Sequence, residues 1–238
     1  MVVLGIMDVR GIIPERVGDV SQNQLFLRAK EVKNTDEARL KNGAYVMLSH
    51  LAREYMGADV LPEIYYTHMG KPYFKENSDW QFNISHDRDL CAVILSNDYS
   101  ALGVDLQSMP DRKIRLERIR ERFFAPLNYL SGKERDEGQK ANTLPLLLKF
   151  FTAIEQGGTY ATAALEEPTG FDIIFYEDTA ELDFLTKWTL LEATVKATGE
   201  GISTYRDTEK LDTHTSVYAF RRDGHTFSLS AAAVKQER

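Results

Sequence analysis

"ALGVDLQ", residues 101–107, reads as a β-strand with strict alternation. Leu102, Val104 and Leu106 point one way, and Gly103, Asp105 and Gln107 the other. One face is apolar. The other carries a carboxylate and a carboxamide two residues apart, behind a glycine that leaves room for something to approach. "LCAVILSN" (90–97) lies just upstream across "NDYS", a turn composition, and the two runs together read as a hairpin.

Working outward, "MVVLGIMDVR" opens the chain as a first strand. It has no basic region before its apolar run and is too short for a signal peptide. "DEARLKNGAYVMLSHLAREYM" has Leu40, Tyr45, Leu48, Leu51, Ala52 and Tyr55 near helical spacing. "EIYYTH" and "WQFNISH" are short extended pieces. "LPLLLKFFTAIEQ" fits helix or strand equally, and "GFDIIFYED" looks like a strand. "AELDFLTKWTLLEATVKATGEG" is the clearest helix, with Gly199 as its stop signal. "SVYAFRRDGHTFSLSAAAV" closes the chain as a hairpin turning at "RRDG". There is no strict repeat. Helix plus antiparallel strands in each half predicts an α+β protein of two similar, pseudo-symmetric subdomains, residues 1–109 and 110–238, each with a helix on a small antiparallel sheet.

The composition bounds the partners. The chain has 238 residues, 43% hydrophobic and 27% charged, enough for a substantial core. Its single cysteine, Cys91, excludes a disulfide framework and a multi-cysteine zinc site, and "LCAVIL" reads as a buried strand. The net charge of −7 argues against a general nucleic-acid binder. No apolar run is long enough to span a membrane, so a cytoplasmic setting is expected. Within this acidic chain, "DRKIRLERIRER" (111–122) holds six basic residues against three acids. Such a run is either a helix laced with i,i+4 pairs or a docking patch for an acidic partner.

Four stretches carry polar groups with chemical potential. Trp188, Glu192 and Lys196 recur every four residues, drifting only about 80° in total, so they share a helix face. A Glu–Lys pair at that spacing is by itself an ordinary salt bridge. "FNISH" puts Asn83 and Ser85 on one strand face and His86 at its end. Ser85 and His86 are neighbours on a strand and point apart, which rules out a nucleophile–base pair. "GKP" (70–72) is a rigid turn that presents a lysine. Asp105 near a strand end is most often a turn or cap residue. His50, His68, His214 and His225 show no metal-ligand spacing.

In this order, "GKP", "FNISH", "LGVDL" and "WTLLEATVKATGEG" resemble the motifs of the two-subdomain 4′-phosphopantetheinyl transferases, over residues 36–202. The resemblance implies transfer of the 4′-phosphopantetheine arm of coenzyme A to a serine hydroxyl of an apo acyl or peptidyl carrier protein, releasing adenosine 3′,5′-bisphosphate. It implies magnesium, or manganese, held by Asp105 and Glu192, with Lys196 on the phosphates. Lys71 and Pro72 would line the adenine end, and Ser85 and His86 the 3′-phosphate, with Lys33 and Arg39 as further basic contacts. Glu192 or a metal-bound water would be the general base. The active-site cleft would lie between the subdomains of a monomer, with the carrier docking near Arg112–Arg122. The family commonly has an acid where this chain has Gln107, which can still offer an amide oxygen to the metal. Relatives often place a glutamate near Asn128. These two departures motivate an alternative, a non-catalytic coenzyme A- or carrier-binding regulatory protein. A two-metal phosphohydrolase would cluster more carboxylates and histidines. The stretch from Ser131 to Glu181 is longer than the resemblance accounts for.

Overall fold

Chains that alternate apolar and polar residues over short runs close into antiparallel sheets, and every strand pairing among the described residues is antiparallel. The computed structural model describes residues 1–10, 35–76, 79–109, 150, 152–165, 180–199, 201 and 213–235. The elements are β1 Val2–Asp8, α1 Thr35–Leu51, β2 Ile64–Tyr66, β3 Pro72–Phe74, β4 Gln81–Asp87, β5 Leu90–Ser96, β6 Tyr99–Ser108, β7 Tyr160–Leu165, α2 Ala180–Thr198, β8 Thr213–Arg222 and β9 His225–Lys235. The chain is an α+β protein. One sheet has the order β4-β5-β1-β7, a second β6-β9-β8, and β2 pairs with β3 alone.

The even residues of β1 and β6 decide the layering. Val2, Leu4 and Ile6 share one core with Leu102, Val104 and Leu106, together with Leu90, Ile94, Tyr218, Phe220 and Leu229. That core lies between the two larger sheets. The odd residues face outward to the helices. Val3, Val93 and Leu95 pack with Met47, Leu48 and Leu51 of α1, and Ala232 of β9 packs with Ala193 and Ala197 of α2. The layers therefore run helix, sheet, sheet, helix. Burying each large apolar side chain contributes about 1.5–3 kcal/mol.

The two larger sheets do not divide at position 109. β6, from the first half, joins β9, and β7, from the second half, joins β1. Passing over β2, β3 and β7, the order strand, helix, hairpin occurs twice among the described residues, as β1-α1-β4-β5 and as β6-α2-β8-β9, with sheet orders β4-β5-β1 and β8-β9-β6. β7 lies inside the long 131–181 stretch, and its Ala161 and Ala163 enter the inter-sheet core. Residues 152–155, within the segment that fitted helix or strand, are helical.

The hairpin expected between 90–97 and 101–107 does not form. β5 is buried along its whole length and is paired on one side with β1 and on the other with β4. With both its edges occupied, β6 must leave for the other sheet. Ser96 fixes that corner: its hydroxyl donates to the Met1 carbonyl at 2.7 Å and accepts from the Asp98 amide at 3.1 Å. The hairpin is instead β4–β5, turning at Arg88 with φ 53°. The β8–β9 hairpin forms as read. Asp223 and Gly224 both have positive φ, 51° and 77°, which marks a two-residue turn matched to the strand twist. Cys91 is buried, and its thiol is pushed up to about 12 by that burial.

Candidate active site

Gly103 sets the geometry. A Cβ at this position would lie 2.6 Å from the Ala197 amide nitrogen and closer still to the Ala193 carbonyl oxygen. What the glycine leaves room for is the backbone of α2. Both faces of β6 are consequently covered, and Asp105 is only 7% exposed. The expectation of one apolar and one open polar face gives way to a strand buried on both sides. Ala193 and Ala197 are what permit so close a seat, and Thr189, one turn earlier, bonds the Ser228 and Ser230 hydroxyls at 2.8 and 2.7 Å.

This seating brings Lys196 onto the strand. Its Nζ lies 2.6 Å from Asp105 Oδ1, 3.2 Å from Ser85 Oγ and 3.2 Å from the Val104 carbonyl. Ser85 Oγ donates to Asp105 Oδ1 at 3.1 Å and accepts from the Leu106 amide at 3.1 Å. Its one hydrogen is therefore committed, which leaves none to donate to a phosphate. The same strand face continues the pattern. Asn83 Oδ1 accepts from the Val104 amide at 3.0 Å, and Asp87 Oδ2 from the Ser108 amide at 2.6 Å. Alternate side chains of β4 thus stand in for a missing ladder partner of β6.

A cleft of about 570 Å³ opens over this seam. α1 contributes Lys41 and Tyr45, β4 contributes Asn83 to Asp87, and β6 contributes Asp105 to Gln107. α2 and its end contribute Val195, Lys196, Gly199 and Gly201, and the β2–β3 turn contributes Met69 to Pro72. That turn is shaped by Gly70 at φ 86° and by Thr67 Oγ1, which accepts from the Lys71 amide at 3.1 Å. Lys71 is half-buried instead of presented to solvent. Its ammonium donates to the Ala197 carbonyl, an orphan acceptor at the end of α2, and its stem packs on Gly199.

Burial governs the titratable groups. It pushes Lys71 down to about 8. It also lowers His86, with Lys196 and Lys41 acting the same way, so the ring is held neutral below its ordinary range. Glu192 is raised by burial and by the Asp105 charge, against the opposing pull of Lys196. A carboxylate raised this way holds a proton more readily than a free one.

Seven of the residues expected from sequence meet at this cleft: Lys71, Pro72, Ser85, His86, Asp105, Gln107 and Lys196. Glu192 does not line it. It lies one helical turn before Lys196 and is electrostatically coupled to Asp105. Arg39 does not line it either, and pairs with Asp89 at 2.9 Å and Asp36 at 3.4 Å. Lys33, Asn128, the basic run 112–122 and the strand expected at 170–178 lie outside the described residues. Sequence reading missed Lys41, Tyr45 and Tyr66; the two tyrosine hydroxyls meet at 2.5 Å. Tyr45 is on the apolar face of α1, and only the fold shows that it also lines the cleft.

Among the described residues, no three of the types His, Cys, Asp and Glu stand together as a metal-holding group. The oxygen donors are the Asp105 carboxylate and the Gln107 amide at the cleft, and the Glu192 carboxylate one helical turn before Lys196. All are hard oxygen donors, a set that fits magnesium, which takes few protein ligands and keeps water and phosphate oxygens for the rest. No known family model matches the chain, and no curated protein is significantly similar to it. No helix among the described residues is long and apolar enough to cross a membrane.

Proposed function

We propose that the chain is a two-subdomain 4′-phosphopantetheinyl transferase acting on an apo carrier protein. One observation carries the reading. Four short motifs spread over more than a hundred residues converge on the same seam, with Lys71 lining the cleft and bonded to α2, Ser85 and Asp105 joined, and Lys196 on both. The doubled strand-helix-hairpin connectivity supports the two-subdomain reading.

The reaction joins a carrier serine oxygen to the phosphorus that bears the pantetheine arm. The bond from that phosphorus to the bridging pyrophosphate oxygen breaks, and adenosine 3′,5′-bisphosphate leaves. Such transfer needs charge neutralisation, alignment and a proton acceptor. Lys196 supplies a point charge for the phosphates. Asp105 and Glu192, with Gln107, would hold magnesium or manganese, which supplies further neutralisation when bound. Glu192, or a metal-bound water, would take the hydroxyl proton. His86 and Lys71 serve the nucleotide end. Ser85 acts by fixing Asp105, since its hydrogen is already spent there. The basic run Arg112–Arg122 receives the acidic carrier.

Incubation with coenzyme A, magnesium and an apo carrier should add the mass of the arm to the carrier. No mass gain across several unrelated carriers would sink the proposal. Glu192→Gln and Lys196→Ala should each lower the catalytic rate by about 10²-fold or more. An effect confined to stability would reduce Glu192 and Lys196 to structural parts of the seam. Gln107→Glu addresses the non-catalytic alternative: activity appearing only in that variant would make the native chain a binder.

A further inference from the structure

A lysine ammonium has three hydrogens to donate, and Lys196 has three oxygens around it: a carboxylate, a hydroxyl and a backbone carbonyl. These oxygens come from two strands, and two of them, Asp105 Oδ1 and Ser85 Oγ, are bonded to each other. They are held by the seam whether or not the lysine is there, because Ser85 Oγ also accepts the Leu106 amide and Asn83 fixes Val104 beside it. An oxygen cage of this kind is what a hard cation seeks. The lysine reaches it only because Gly103 lets α2 settle onto β6.

We propose that Lys196 is a built-in cation filling the cage at Asp105, so that a divalent ion takes Asp105 only by displacing it. An anionic group in the cleft then receives the displaced ammonium. The metal and the phosphates are thereby made to bind together, and the protein alone holds the metal poorly. The inference rests on the reading of the cleft as a metal–pyrophosphate site. Coupling of this kind is reciprocal: whatever factor the anion adds to metal affinity, the metal adds to anion affinity.

Equilibrium binding of manganese(II) alone, without any phosphate, tests this through the spectroscopic signal of the free ion. Lys196→Met keeps the length of the side chain and removes its charge. It should bind manganese about tenfold or more tighter than the native protein, within the usual range of coupling between sites. Affinity that is unchanged or lower overturns the inference. That result leaves the functional reading standing if the native chain still transfers the arm. Absence of manganese on either protein in equilibrium dialysis, even with inorganic pyrophosphate added, overturns the metal reading and this inference together. A measurement on the native chain removes dependence on the variant's folding. Acylation of Lys196 by acetic anhydride, followed by peptide mass, should speed up severalfold at saturating manganese, and an unchanged rate counts against displacement.

Discussion

In β1, Leu4-Gly5-Ile6 runs beneath α1; in β6, Leu102-Gly103-Val104 runs beneath α2. The two strands hold matching places in their sheets, each next to the second strand of a hairpin. A Cβ on Gly5 would meet side-chain atoms, Met47 Cε at 2.7 Å and Leu51 Cδ1 at 3.3 Å. A Cβ on Gly103 would meet the helix backbone itself, at Ala193 and Ala197. Met47 and Leu51 are four residues apart, as are Ala193 and Ala197. Large side chains hold α1 away from its strand, and alanines let α2 down onto its own. Two places past the glycine stands Met7 in one strand and Asp105 in the other. The first unit spends this geometry on core packing, and the second brings an ammonium against a carboxylate.

Gly103→Ala should break the comparison most severely. Nothing flexible lies in the way of the new methyl, so α2 must lift. A loss of about 4 kcal/mol, in the exceptional range for a single change, is expected by urea unfolding, with the proposed transfer activity falling alongside it. Thr189→Val should cost about 1–3 kcal/mol, since it strips a partner from two buried serine hydroxyls under α2. If stability is unchanged, α2 is held by its alanines alone. Gly5→Ala should cost about 1 kcal/mol and leave activity intact, because the Met47 side chain can move aside. Equal losses at Gly5 and Gly103 would remove the distinction between side-chain and backbone seating.

Lys71→Met sharpens the picture by the smallest amount, at the end of α2. The folded amine is depressed to about 8 from its ordinary 10.5, so in that window the unfolded chain binds more protons. Native stability should therefore rise from about pH 8 to 10.5; the extra stability is lost as pH falls through that window and is gone below 8. The variant should lack this slope in chemical unfolding followed across the window. Identical slopes would mean that Lys71 titrates like an exposed lysine.

β6 and α2 were legible because each carries its own period: alternation in one, four-residue spacing in the other. Their meeting was legible only through the motifs, since sequence distance hides it. β7 was not. "TYATAAL" is built of small residues whose burial depends on β1 lying beside them. The β5–β6 hairpin misled because "NDYS" is good turn chemistry in a place where β1 and β4 had already claimed β5. Arg39 was expected as a basic contact for the 3′-phosphate, and Asp89, fifty residues away, takes it. The doubling of a helix with antiparallel strands was legible, but its boundary was not, because β6 precedes position 109 and pairs with β9 beyond it.

The acceptors that β4 offers at Asn83, Ser85 and Asp87 have a consequence outside catalysis. β6 ends its sheet, and an open row of amides there would be a template on which a strand of another molecule could grow. The amides of Val104, Leu106 and Ser108 are already taken. Short polar side chains cap these three amides, which leaves an incoming chain fewer donors to pair with and guards the edge against edge-to-edge polymerisation.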